Sequence, residues 1–194
     1  MSREDACILA NEAASIVVSK FGSATTTVQE IKAASKDGYL YYSYEIEEIV
    51  SQLKKKGKKI VFTNGCFDLV HAGHISSFVQ AKAKGDVLIV GINSDASIKR
   101  IKGDKRPIVT QMNRAKLLSA LGMIDYLVIF DDDTPQKLIE KILPDVLVKG
   151  KDWEGKEVAG QDVVESHGGK VSFINLEEGL STTNIIEKIR KLYN

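Results

Sequence analysis

The sequence predicts an α/β protein: a doubly wound, five-stranded parallel sheet with an N-terminal helical appendage. Three observations predict it. From Lys59 onward short apolar runs alternate with amphipathic stretches of helical period. The runs are continuous and rich in Val, Ile and Leu, as strands covered on both faces must be. Turn and capping residues separate the segments, as at Thr134-Pro135, an N-cap followed by proline at the first helical position. The predicted strands are 60–63, 87–92, 126–130, 145–149 and 171–174; the predicted helices are 74–84, 95–101, 111–121, 135–142, 159–167 and 183–192.

Ahead of this region, residues 4–21 place Ala6, Leu9, Ala10, Ala13, Val17 and Val18 on one helical face, with Gly22 as a C-cap. Thr27 and Glu30 stand in capping-box register for a second short helix over 28–35. Two short helices with small-residue faces need a partner surface. The tyrosine-rich run 39–44 is expected to be a packed linker first, and an interface patch or short strand second. Residues 44–56 form an amphipathic helix with Ile46, Ile49, Val50 and Leu53 facing in and lysines at its C-terminus, where the macrodipole favours them. The domain expectation is therefore 1–43 as appendage and linker, and 44–194 as the sheet domain.

Composition narrows the function classes. The 194 residues, 43% hydrophobic and 27% charged, are ordinary globular material. A net charge of +1 supplies no global field for nucleic acid, so no nucleic-acid partner is expected. Cys7 and Cys66 are too few and too far apart for a disulfide scaffold or zinc site. No apolar run approaches the ~20 residues of a membrane span, and the opening MSREDA has no signal-peptide core. The expectation is a cytoplasmic protein without a membrane partner, acting on small molecules, with a homo-oligomer left open.

Chemistry is expected at the carboxyl ends of the strands. The first strand of the region ends in Thr63-Asn64-Gly65, and His71-Ala72-Gly73-His74 follows at a helix entrance. Gly73 removes a side chain that would obstruct a phosphate, the helix N-terminus offers free N–H groups, and an imidazole can donate to a phosphate oxygen and gain charge as that oxygen does. Helix capping is one alternative for the pair. A metal pair is another, and it lacks two further ligands nearby. A second cluster, Lys99, Arg100, Lys102, Lys105 and Arg106, follows the next strand; Arg114 lies in the helix beyond; Lys149-Gly150 ends the fourth strand; and Ser181-Thr182-Thr183 precedes the last helix. Three strand ends thus offer anion-binding groups, with no Gly-x-Ser-x-Gly, Walker or Gly-x-Gly-x-x-Gly motif and no nucleophile–base pair. In-line displacement at phosphorus by an already ionised phosphate monoester (second pKa about 6) fits this set, with Mg²⁺ carried in on the nucleotide.

His71-Ala72-Gly73-His74 after TNGCFD, together with Ser181-Thr182-Thr183 before the last helix, resembles the HxGH nucleotidyltransferase superfamily, cytidylyltransferase-like branch, over residues 59–194. The stretches NSDASIKRIKGDKRP, DDTPQKLIEKILPDVLVKGKDW and EEGLSTTNIIEKI resemble more closely the adenylyltransferase domain of bacterial bifunctional heptose kinase/adenylyltransferases. The resemblance implies a Rossmann-like domain that makes ADP-heptose from ATP and D-glycero-β-D-manno-heptose 1-phosphate for lipopolysaccharide precursors. It implies that His71 and His74 contact the phosphates and stabilise the transition state. Thr63, Asn64, Gly65, Phe67 and Gly73 would form the phosphate turn, with Asp68 orienting the neighbouring loop or substrate. Lys99, Lys102 and Arg114 would neutralise phosphate charge, and Lys149, Asp152, Ser181, Thr182 and Thr183 would close over the nucleotide. Residues 1–43 resemble the final helices of ribokinase-like sugar kinases, without the Gly-Ala-Gly-Asp motif of a working kinase. Two alternatives stand beside this. A glycerol-3-phosphate cytidylyltransferase is disfavoured because Leu176 occupies the position where that branch has arginine. The other is a nucleotide-binding module without turnover. Trp153 can equally stack on a base or cover the sheet edge, His167 is expected to cap a helix C-terminus, and Asp131-Asp132-Asp133 to precede a helix rather than hold a metal.

Overall fold

The computed structural model describes residues 46–177 and 179–193, the strand Leu40–Tyr42, and positions 14, 17 and 25. The expected helices at 4–21 and 28–35 lie outside the described residues, except that Ala14 and Val17 are helical. The chain divides into two compact units, Met1–Leu40 and Tyr41–Asn194. No helix among the described residues is long and apolar enough to cross a membrane.

The elements run β1 (Leu40–Tyr42), α1 (Ile46–Lys55), β2 (Ile60–Gly65), α2 (Ala72–Lys82), β3 (Val87–Asn93), α3 (Asp95–Lys102) and α4 (Gln111–Ser119). They continue with β4 (Tyr126–Phe130), α5 (Gln136–Ile142), β5 (Val146–Gly150), a 3₁₀ turn (Lys151–Trp153), α6 (Gln161–Ser166), β6 (Lys170–Ile174) and α7 (Thr182–Tyr193). The sheet order is β1-β4-β3-β2-β5-β6, and β2 to β6 are all parallel. The five predicted strands are present, and β1 from the tyrosine-rich run adds a short sixth at the β4 edge. A strand here uses edge groups of β4 that a linker would have left unpaired. Element ends shift by up to two residues from the expected ones. At the Thr134-Pro135 cap, Pro135 itself takes the N-cap position, its carbonyl accepting the Ile139 N–H at 2.9 Å, and α5 begins at Gln136.

Chain order moves outward from β2 through β3 to β4, then returns to β5 on the other flank of β2. The crossovers therefore diverge between β2 and β5, and that divergence opens a crevice at their carboxyl ends. The strands say where water is met. All seven residues of β3 are buried, whereas β2 passes from buried Ile60-Val61-Phe62 to half-buried Thr63-Asn64-Gly65 at the crevice. On one face Phe62, Ile89, Val128 and Leu147 pack with Ile46, Val50 and Leu53 of α1 and Leu138, Ile139 and Ile142 of α5. The alternate positions, such as Val61, Val90 and Leu127, are buried on the opposite side with Phe78 of α2 and Leu118 of α4. Gly91 makes room for this packing, since a Cβ there would stand 3.0 Å from the Phe62 ring and 3.2 Å from Leu138.

At the amino edge, aspartates from neighbouring loops close the strand starts. Asp145 accepts the Ile60 N–H (2.6 Å) and returns its own N–H to the Ile60 carbonyl (2.9 Å). Asp125 does the same with Leu88 (2.7 and 3.0 Å) and also takes the Lys82 ammonium. These bonds lie at the end of the sheet remote from the crevice. Asp125→Ala is therefore expected to lower stability by about 1–3 kcal/mol, seen as a reduced denaturant midpoint at unchanged slope, with catalysis by the folded fraction unchanged.

Candidate active site

The loop from β2 to α2 is held in an unusual backbone. Phe67 (φ 47°) and Leu69 (φ 52°) both lie in the left-handed region, which costs a large side chain about 1–3 kcal/mol each. Between them sits Asp68, 1% exposed. Its carboxylate accepts the Ile108 and Val109 N–H groups (each 2.9 Å) and the Arg106 guanidinium (2.7 Å). Its backbone carbonyl accepts the Thr182 hydroxyl at 2.6 Å. Burial alone would raise the Asp68 pKa, but these donors outweigh it and hold the carboxyl below its ordinary value. The loop after α3, which contains a cis Arg106–Pro107 peptide, and the start of α7 are thus both fastened to this residue.

Phe67 is buried, its ring 4.9 Å from Phe78 and edge-on to the His74 imidazole at 5.4 Å. Gly65 leaves space for it: a Cβ there would lie 3.0 Å from the Phe67 ring. His71 takes the N-cap position of α2 and stacks on His74, centroids 3.8 Å apart and planes 23° from parallel. The gap that seats His71 is Gly73, whose absent Cβ would fall 3.1 Å from the ring. The His71 N–H points at His74 Nδ1 across a long 3.4 Å, which leaves the His74 proton on Nε2. His71 Nδ1 is buried without a hydrogen-bond partner among the described residues. Burial, with the neighbouring His71 second, depresses His74 to about 4; burial also lowers His71. Both imidazoles are neutral at pH 7, at a helix end that favours anions.

A cleft of about 250 Å³ opens here. Gly65, Cys66, Phe67 and Asp68 form its floor, His74 one wall, Lys102 and Arg106 another, and Thr182 and Thr183 the rim. Seven of the predicted site residues meet in it: Gly65, Phe67, Asp68, His74, Lys102, Thr182 and Thr183. Others stand behind or beside it. Ser181 caps α7 by accepting the Asn184 N–H (3.1 Å). Thr63 donates to the Val148 carbonyl (3.1 Å) and Lys149 to Asn64 Oδ1 (2.5 Å), binding the ends of β2 and β5 together. Burial lowers Lys149 to about 8 against the opposing pull of Asp152, and its ammonium lies 5.6 Å from the Trp153 ring. Asp152 is exposed in the 3₁₀ turn, and Lys99 is exposed on α3 without lining the cleft.

Arg114 is placed differently from an exposed phosphate clamp. It is 1% exposed, and its nitrogens reach the Val109 carbonyl (3.0 Å), the Cys66 carbonyl (2.6 Å) and Asp95 (2.8 Å). Arg100 is drawn to the end of β4, where it bonds Asp133 (2.6 Å) and the Asp131 carbonyl, while Lys137 pairs with Asp132 (2.6 Å). Arg106, named above only as part of the basic cluster, and Cys66, not named for the site, also line the cleft; burial pushes the Cys66 thiol up despite nearby Lys102, Arg114 and Arg106. Arg106 carried a signal, its place in the basic loop, whereas Cys66 carried none. His167 caps α6 with its ring nitrogen 2.8 Å from the Val163 carbonyl. Among the described residues no three of His, Cys, Asp and Glu come together as a metal-holding group.

The cytidylyltransferase-like family profile matches residues 62–188. The chain belongs to that family. It is thereby a nucleotidyltransferase domain, and the histidine pair falls inside the matched span. Curated relatives named bifunctional protein HldE are 49% identical in Geobacter metallireducens, over 97% of this chain, and 48% identical in Haemophilus influenzae, over 98%. The chain spans about 40% of the length of these relatives. A lipopolysaccharide core biosynthesis protein from Thermoplasma volcanium is similar in structure (TM-score 0.52, 28% identity), covering 62% of this chain and 98% of that one. A pantoate–β-alanine ligase from Francisella tularensis shares the fold (TM-score 0.54, 19% identity), covering 79% of this chain and 77% of its own.

The depressed histidines give a signed expectation. The unfolded chain takes up a His74 proton near pH 6.5 while the folded chain resists until about 4, so stability falls as pH falls between these values. The Asp68 contribution is lost at lower pH still, below its ordinary 3.8. Titration by NMR should place the His74 ring near 4, and a His74→Asn variant should lose less stability between pH 6.5 and 4 than the parent.

Proposed function

We propose that this domain transfers an adenylyl group from ATP to the phosphate of a sugar 1-phosphate, with release of pyrophosphate. The observation that carries the proposal is the neutral, stacked histidine pair at the start of α2, with His74 lining a cleft shared with Lys102 and Thr183. No side chain there is arranged as a nucleophile with its base, and none is needed. The acceptor phosphate, doubly ionised above its second pKa of about 6, attacks the α-phosphorus itself. An oxygen–phosphorus bond forms, the bond to the pyrophosphate bridge breaks, and the electron pair leaves with pyrophosphate.

The chain's own part is placement and charge. His74 donates from Nε2 to an oxygen of the α-phosphate, and its proton affinity rises as negative charge builds there. Lys102 and the free N–H groups of α2 take up the remaining phosphate charge, and Thr183 contributes a hydroxyl at the rim. Arg114 acts by holding the floor, through the Cys66 carbonyl. Mg²⁺ enters with the nucleotide and neutralises its phosphate oxygens when bound.

The resemblance of NSDASIKRIKGDKRP, DDTPQKLIEKILPDVLVKGKDW and EEGLSTTNIIEKI to heptose adenylyltransferase domains supports ATP as donor and D-glycero-β-D-manno-heptose 1-phosphate as acceptor, with ADP-heptose for the lipopolysaccharide core as product. The similarity to the bifunctional HldE proteins accords with it. The structural neighbour described as a lipopolysaccharide core biosynthesis protein points the same way. On this proposal residues 1–43 are the end of a sugar kinase domain leading into the transferase, which works in the cytoplasm on small molecules.

Pyrophosphate release measured with ATP or CTP against heptose 1-phosphate and glycerol 3-phosphate is the test. Turnover is expected for ATP with heptose 1-phosphate; turnover for CTP with glycerol 3-phosphate alone overturns the proposal. His74→Ala should reduce turnover about 10²-fold or more at unchanged nucleotide affinity and melting temperature.

A further inference from the structure

Two polar side chains meet at the carboxyl ends of the strands where the crossovers diverge, and the chemistry of one dictates the orientation of the other. Lys149 Nζ lies 2.5 Å from the Asn64 side chain. An ammonium donates and cannot accept, so the atom facing it must be the amide oxygen. The Asn64 NH₂ is thereby turned away from β5. On the β3 side its register partner is Gly91, which has no side chain to meet it. No described residue accepts from that NH₂, and the next residue, Gly65, lines the cleft.

We propose that Lys149 is a positioning residue: it locks the Asn64 amide so that two N–H donors, and never the carbonyl oxygen, face a phosphate oxygen of the bound nucleotide. The proposal deepens the transferase function given above and rests on it. A freely rotating asparagine also samples the orientation that presents its oxygen to the phosphate, and an oxygen lone pair there repels the anion. A fixed donor removes that population and costs no reorganisation during the reaction. Trp153, 5.6 Å from the ammonium, and exposed Asp152 are the groups that face Lys149 from the turn after β5. From β6 the register partner is the uncharged Phe173. Among the described residues no carboxylate forms a hydrogen bond to Lys149, and the hydrogen bond its ammonium makes goes to Asn64. Lys149 has a pKa of about 8, so raising the pH past that value turns the lock off within an accessible range.

A double-mutant cycle on pyrophosphate release decides the matter. Lys149→Met keeps the stem and removes the donor; it is expected to lower kcat roughly 10- to 100-fold while the nucleotide KM changes less than about threefold. Asn64→Ala should fall as far, and the double variant no further than Asn64→Ala alone. Lys149→Arg, which stays protonated at any working pH, should restore most of kcat and extend the alkaline limb of the pH profile beyond that of the parent. Losses that multiply in the double variant mean that Lys149 touches the ligand directly, and overturn the proposal; so does an unchanged kcat in Lys149→Met. Should that variant not fold, the Asn64 side-chain NH₂ resonances of the parent carry the test. They are expected to shift on ATP addition at pH 7 and again as pH rises past 8, and their indifference to either overturns the lock. A parent protein that turns over no nucleotide refutes the transferase function instead, and the same resonances then judge the amide on their own.

Discussion

Three walls of the cleft are joined at one buried carboxylate. Asp68 receives the 106–109 loop through two N–H groups and a guanidinium, and its own carbonyl receives Thr182 from the start of α7. A buried carboxylate with unfilled lone pairs is costly, so the charge itself drives its neighbours into place. Two left-handed residues flank it, a conformation that persists only where the surrounding contacts over-determine it. Phe67 is set by this turn and by Phe78, and His74 by Phe67 and the stacked His71. The orientation of the imidazole is thus fixed by a residue that need not touch the reacting atoms.

Behind the turn the arrangement is conservative. Arg114 spends its three nitrogens on the Val109 carbonyl, the Cys66 carbonyl and Asp95, so the floor of the cleft is braced from α4 and α3. Ser181, Thr182 and Thr183 divide the work at the rim: the first caps the helix, the second ties down the Asp68 loop, and the third stays exposed. Three hydroxyls in a row read alike as letters and differ entirely in partner.

That difference marks what the sequence could and could not convey. The strands were legible because β3 and β4 are buried on both faces and their apolar runs have no other explanation. The histidine pair was legible because its residue types are scarce and its place after β2 is dictated by topology. The burial of Arg114 was not, since a helix of this period shows the same arginine whether it faces a phosphate or a carbonyl 48 residues away. Nor was the anchoring by Asp68, whose contact with Thr182 spans 114 residues. The positive φ of Phe67 and Leu69 has no local signature, because aromatic and leucine side chains avoid that region unless tertiary contacts impose it. The tyrosine-rich run became an edge strand for a similar reason: its partner, β4, lies more than eighty residues on.

Asp131, Asp132 and Asp133 stand at the carboxyl end of β4, on the same edge of the sheet as the cleft but two strands from β2. They hold Arg100 and Lys137, yet three carboxylates against two cations leave that corner negative. A polyanion arriving at the edge is repelled from one side and received on the other. For the adenylyl transfer proposed above, the row therefore works as a boundary: it disfavours a nucleotide's phosphates at the end of β4 relative to the interval where β2 and β5 part.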